Sequence, residues 1–193
     1  MSREATTPER IVAAAGALFH RRGLRAVSMD EIADRAGITK KTLYYHFRSK
    51  DDLITACLEA RDEPNLALFR QWFEGAEGDV VARVRALFTG LGATARNPRW
   101  KGCGFLRTSV ELIELPGHPA LVLARAHKRR LEAWLAEALG ASGIGGDTRP
   151  LARQIVLLID GAFAVVLLHR DAGYMDSAAD AAASLVAARL ASG

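Results

Sequence analysis

"SMDEIADRAGITKKTLYYHF", residues 28–47, decides the fold. Ser28 and Glu31 have the spacing of a capping box, in which each side chain satisfies an orphan backbone donor of the other, so a helix starts at Met29. Met29, Ile32, Ala33 and Ala36 fall on one face of it, and Gly37 ends it. Ile38 alone separates that stop from Thr39, the N-cap of a second short helix. In this second helix only Leu43, with Phe47 just after it, is suited to a core. Lys40, Lys41, Thr42, Tyr44, Tyr45 and His46 carry hydrogen-bonding groups with long reach. Two short helices joined by a tight glycine turn make a helix-turn-helix.

The flanks complete a three-helix head. Thr7-Pro8-Glu9 reads as a hydroxyl N-cap, a proline at the first helical position and an acid in the first turn. Ile11, Ala15, Leu18 and Phe19 then form a stripe that Gly23 ends. Ser49 opens a fourth helix with Asp51 and Asp52 in its first turn, where the helix dipole favours them. In a helix-turn-helix the second helix enters the DNA major groove with its N-terminal residues at base edges. Lys40, Lys41 and Thr42 lie at that end. Tyr44, Tyr45 and His46 sit where flanking phosphates pass, and Lys50 is placed to neutralise another. Adjacent exposed aromatics imply a partner.

The charge agrees with that assignment. Residues 1–50 hold 10 Lys and Arg against 5 Asp and Glu, while residues 51–193 hold 16 against 17. A basic head on a near-neutral body suits a polyanion met at one end. The polar start, MSREATTPER, reads as no secretory signal. The longest apolar run, Ile155–Leu168, is broken by Asp160 and Gly161 and falls short of the roughly 20 residues a membrane span needs. Two cysteines make no disulfide framework, so the expected setting is the cytoplasm, with no membrane partner.

Residues 8–53 closely resemble the N-terminal DNA-binding domain of the TetR family of bacterial transcriptional regulators. The resemblance is carried by Ser28–Ala33, Ala36-Gly37-Ile38, Thr42–Phe47 and Ser49–Leu53. It implies an all-helical homodimeric repressor on a palindromic double-stranded operator, whose C-terminal part binds a small molecule that lowers DNA affinity. It also implies base contacts from Thr42 and the two positions before it, and phosphate contacts from Tyr44, Tyr45, His46 and Lys50. The expected DNA-binding set is therefore Ser28, Thr39, Lys40, Lys41, Thr42, Tyr44, Tyr45, His46 and Lys50. The expected architecture is all-α: a helix-turn-helix domain over residues 1–48 and a ligand-binding and dimerisation domain over 49–193.

Helical periodicity continues beyond Leu53, and Pro64 is expected to kink or split its helix. Further helices are expected over 79–96, 105–114, 120–139, 149–169 and 176–191, with a flexible "GASGIGGD" at 140–147. The helix over 149–169 is apolar around its circumference, which calls for cover on every side and hence a second chain. With the alanine-rich last helix it suggests a four-helix dimer interface that includes Ile155, Leu158, Gly161, Val165, Val166 and Leu185. Asp160 would either bond across that interface or face a cavity.

No explicit ligand motif occurs. The candidate pocket walls are Phe69, Phe73, Phe88, Phe105 and Phe163, which favour a small, mainly apolar effector, with Arg107, Thr108 and Ser109 as polar contacts. Cys103, beside Lys101 near a helix start, is the possible redox or electrophile-sensing residue of an alternative reading. A cysteine-dependent enzyme using Cys103 with His118 or His127 is the remote third. It lacks a spaced triad, a phosphate-binding glycine loop and clustered metal ligands, and both histidines read as solvated. No catalytic residue, metal or cofactor is expected.

Overall fold

A computed structural model describes Ala5–Ser192, so the reading of the polar start at Met1–Glu4 lies outside the described residues. Among the described residues the chain is all helical: α1 (Thr7–Arg22), α2 (Met29–Ala36), α3 (Lys40–His46), α4 (Lys50–Glu74), α5 (Val80–Ala95), α6 (Gly104–Glu111), α7 (Pro119–Ala141), α8 (Arg149–His169) and α9 (Gly173–Ala191). They divide into two compact units. The first takes the chain up to Pro64 together with Gly104–Ala126, and the second takes Asn65–Cys103 and the chain from His127 onward. The motif-based division at residues 48 and 49 follows the head. The packing-based one also assigns the first part of α4, and all of α6, to the unit that carries it.

In the first unit, α1 begins one residue earlier than its sequence suggests. The N-cap is Thr6, whose backbone N–H donates to the Glu9 carboxylate at 2.7 Å, and Pro8 lies inside the first turn. Ile11, Ala15, Leu18 and Phe19 are buried as expected, with Ile32, Ala33 and Leu43 from α2 and α3. Pro64 does not split α4, which runs unbroken from Lys50 to Glu74. The N–H that proline lacks would have gone to the carbonyl of Ala60. Ala60, Arg61, Glu63 and Pro64 are all exposed, so water can satisfy that carbonyl.

The second unit packs α5 and α8 against α9 around one apolar cluster that includes Phe69, Phe73, Leu87, Phe88, Leu135, Ile155, Ile159 and Ala182. The α8 helix departs from the sequence reading in two ways. By length and composition alone it could cross a membrane, with a mean hydropathy of 2.0 over its most apolar 18 residues, so the expectation that the run is too short does not hold. It is also not left bare all round. Leu151, Ala152, Ile155, Val156, Ile159, Ala162, Phe163 and Val166 are buried in its own unit, whereas Leu157 and Leu168 are 66% and 79% exposed. Asp160 accepts from Lys128 of the same unit.

Gly90 sets the approach of α5 to α4. A Cβ there would lie 2.3 Å from Cδ2 and 2.7 Å from Cγ of Trp72, too near the root of the side chain for a small rotation to relieve. Alanine at this position gains about 1 kcal/mol of helix propensity but overpacks the contact by roughly 1–3 kcal/mol. Gly90→Ala is therefore expected to lower the melting temperature by a few degrees, read by circular dichroism. A rise would mean that Trp72 moves aside freely.

Candidate nucleic-acid interface

The helix-turn-helix is tied together by short-range caps. Glu31 accepts from the Ser28 backbone N–H at 2.9 Å, and Ser28 Oγ accepts from the Glu31 N–H at 3.2 Å. Gly37 ends α2 in the left-handed region (φ 66°), where a β-carbon is disfavoured, and its N–H meets the carbonyls of Ala33 and Asp34. Arg10 reaches from α1 to donate to the Ala36 carbonyl at 2.8 Å. Arg22, at the end of α1, pairs with Glu31 and donates to the Ala26 carbonyl at 2.8 Å. The start of α2 is thus fixed to the end of α1.

These bonds hold the Glu31 carboxyl down at about 2, chiefly through the Ser28 backbone N–H and then through Arg22. A depressed carboxylate contributes stability that is present above its unfolded value, near 4.5, and lost as pH falls towards 2. Glu31→Gln keeps a cap acceptor and removes the charge. Its urea midpoint is expected below wild type at pH 6, with the gap closing between about pH 4.5 and 2. A gap that does not change with pH would mean that the charge contributes nothing.

The recognition helix α3 begins at Thr39, whose Oγ1 accepts from the Thr42 N–H at 3.1 Å and lies 2.9 Å from Thr42 Oγ1. Leu43 is fully buried and fixes the rotation of the helix, while Phe47 is half-buried. Lys41 is exposed and Thr42 half-buried at the N-terminal end. Lys40 is exposed but pairs with Asp30 of α2 at 2.7 Å, and this hydrogen bond raises its pKa. Tyr45 is 84% exposed, and its ring meets His46 edge-on at 5.1 Å. Tyr44 is exposed, and Lys50 opens α4 behind Ser49, whose Oγ accepts from Asp52 at 3.0 Å. All nine sequence-derived DNA residues fall within Ser28–Lys50: the N-cap of α2, the N-cap and body of α3, and the first residue of α4.

Sequence reasoning missed the supports. Asp30 holds Lys40, and its only signal was its place one residue inside the capping box. From α6, Glu111 accepts from the Leu24 backbone N–H at 2.6 Å, and Arg107 donates to the His20 carbonyl at 3.3 Å. Arg107, expected as a ligand contact or surface residue, thus holds the end of α1. His118 and His127, expected in solvent, are buried. His118 Nδ1 accepts from the Ala120 N–H at 3.1 Å near the start of α7, with Nε2 3.4 Å from Asp51.

Of the proposed pocket aromatics, Phe69, Phe73, Phe88 and Phe163 join the apolar cluster of the second unit, whereas Phe105 is buried in the first. Cys103 is half-buried against the second unit's cluster. Cys57 is buried, which pushes its thiol up to about 12. Among the described residues no group of three or more His, Cys, Asp and Glu is placed to hold a metal.

Residues 11–57 match the family model for bacterial regulatory proteins of the tetR family. The transcriptional repressor KstR2 of Mycolicibacterium smegmatis is 30% identical over 130 residues, covering 67% of this chain and 54% of that protein. The transcriptional activator FasR of the same organism is 51% identical over 49 residues, 25% of this chain and 22% of that protein. The chain thus spans about half, or less, of the length of the curated relatives it matches. A crystal structure of a TetR-family regulator from Streptomyces coelicolor superimposes with a TM-score of 0.84 at 29% identity, covering 95% of this chain and 96% of that one.

Proposed function

The chain belongs to the TetR family of bacterial transcriptional regulators, and on that premise we propose that it acts in the cytoplasm as a homodimeric repressor. It binds a palindromic operator through α3 and is released by a small, mainly apolar effector. The observation that carries the DNA-binding part is the rotation of α3. Leu43 is buried, while Lys41, Tyr44 and Tyr45 on the same helix are exposed and Thr39 caps its start. Repression is favoured because the relative named as a repressor aligns with far more of the chain than the one named as an activator. Dimerisation is supported by the bare apolar side of α8. The effector class is supported by the phenylalanines of the second unit.

The test is fluorescence anisotropy with duplexes tiled across the DNA upstream of the protein's own gene. One duplex is expected to bind at least a hundredfold more tightly than random sequence, with affinity falling steeply as salt rises. Equal binding to every duplex would end the reading. A thermal-shift screen of aromatic and aliphatic compounds then addresses the effector, and a hit must also loosen the operator complex.

Cys103 supports a second reading, in which a thiol replaces the effector, because its side chain is partly accessible while Cys57 is sealed in the core. An electrophile that releases wild type from the operator but spares Cys103→Ser would favour it.

A further inference from the structure

A cleft of about 730 Å³ lies in the second unit, bounded by the loop after α5, the end of α8 and the start of α9. That is within the usual range of ligand sites. Its walls include Arg96, Asn97, Trp100, Val166 and Arg170. We propose that this cleft binds an organic anion, with a carboxylate or phosphate held by Arg96 and Arg170 and a flat apolar body lying against Trp100. The site adjoins the phenylalanine cluster at Phe163 and does not depend on the repressor reading.

Three observations converge on it. Arg170 closes α8 in the left-handed region (φ 57°) and is the only positive-φ residue other than glycine among the described residues. Glycine or asparagine is the usual occupant of such a C-cap, so an arginine there carries a backbone cost. Its Nη1 donates to the Trp100 carbonyl at 3.3 Å, which holds the guanidinium fork beside the cleft. Arginine is the side chain best matched to carboxylate and phosphate, through two parallel N–H donors.

The second observation is charge. Arg96 and Arg170 put two cations in the wall of the cleft. Asp171 also lines the cleft, but its Oδ1 accepts from the Gly173 backbone N–H at 2.8 Å at the start of α9. The balance remains positive. The third is Trp100. Its ring rests 5.6 Å from that of Phe163 at a 44° tilt, while its backbone N–H donates to the Asn97 carbonyl at 2.8 Å. A half-buried indole packed on a second ring in this way offers a fixed face to a planar ligand.

The experiment is calorimetric titration of the full-length protein with 2-naphthoate, with neutral 2-naphthalenemethanol and with inorganic phosphate. Naphthoate is expected to bind one per chain, about tenfold or more tighter than either of the others. Arg170→Gly adopts the left-handed cap more readily, so it should melt no lower than wild type while losing naphthoate affinity about tenfold. Arg96→Ala should lose a similar factor, and Arg149→Ala, on α8 far along the sequence, should lose nothing. Undiminished naphthoate binding by a folded Arg170→Gly overturns the proposal. So does the absence of any naphthoate binding at millimolar concentration, or phosphate binding as tight as naphthoate and untouched by Trp100→Leu.

Discussion

Leu157→Asp is expected to yield a folded monomer whose operator affinity has fallen at least a hundredfold. Leu157 is 66% exposed, and with Gly161 and Leu168 it recurs at helical spacing along the side of α8 that its own unit leaves bare, with Leu158 and Val165 half-buried at its edge. In a free subunit an aspartate at this position is solvated, so folding is unaffected. Across a dimer contact it becomes a buried, unpaired charge, at a cost of several kcal/mol on each side. Two recognition helices bind two half-sites with the second contact made intramolecular, and a monomer forfeits that gain. Light scattering, a far-ultraviolet spectrum and anisotropy read assembly, folding and DNA binding separately.

The contrast with Val166→Asp sharpens the test. Val166 lies further along the same helix but is only 2% exposed, packed in its own unit's cluster. An aspartate there should unfold that unit rather than split a dimer. A Leu157→Asp protein that stays dimeric and binds DNA as wild type does would move the interface away from α8. So would a wild type that remains monomeric at concentrations where it binds operator.

That contrast also shows what the sequence could and could not disclose. The caps at Ser28 and Thr39 and the stop at Gly37 depend on partners three or four residues away, so the helix-turn-helix was legible almost residue by residue. The covered side of α8 was not. Ile155 and Val165 are both apolar, yet the first is fully buried by α9 and the rest of the core while the second remains partly open. That distinction comes from which helix lies alongside, and the helix's own composition does not reveal it.

Distance along the chain explains the other misreadings. His118 looked like a solvated turn residue because its neighbours are prolines and glycine, and the Asp51 carboxylate that faces it belongs to another helix. Arg107, a candidate polar ligand contact by its sequence, instead bonds the end of α1, and Glu111 of the same helix bonds Leu24 just beyond it. Pro64 was misjudged for a different reason. Its penalty depends on whether the freed carbonyl meets water, and exposure at Ala60 removes most of that penalty.

Lys40→Ala and Thr42→Ala are each expected to reduce the preference for operator over random DNA. Tyr45→Phe and Lys50→Ala should instead weaken binding to both. In the proposed complex the first pair sits at the end of α3 nearest the bases, where one good base contact discriminates by about 1–3 kcal/mol. In the proposed complex the second pair meets the backbone, so the expected loss is independent of sequence, and Lys50→Ala should lower the salt slope by about 0.9. Asp30 separates charge from placement. It holds the Lys40 ammonium at 2.7 Å, and it is itself an exposed anion next to the proposed DNA-reading helix. Asp30→Asn removes that anion, so affinity for random DNA should rise. It also frees Lys40 to seek phosphates rather than a base edge, so specificity should fall even though every groove residue is intact. If Asp30→Asn raises operator and random affinity by the same factor, the ion pair does not aim Lys40. If Lys40→Ala and Thr42→Ala leave the preference unchanged, α3 does not read the bases at that end.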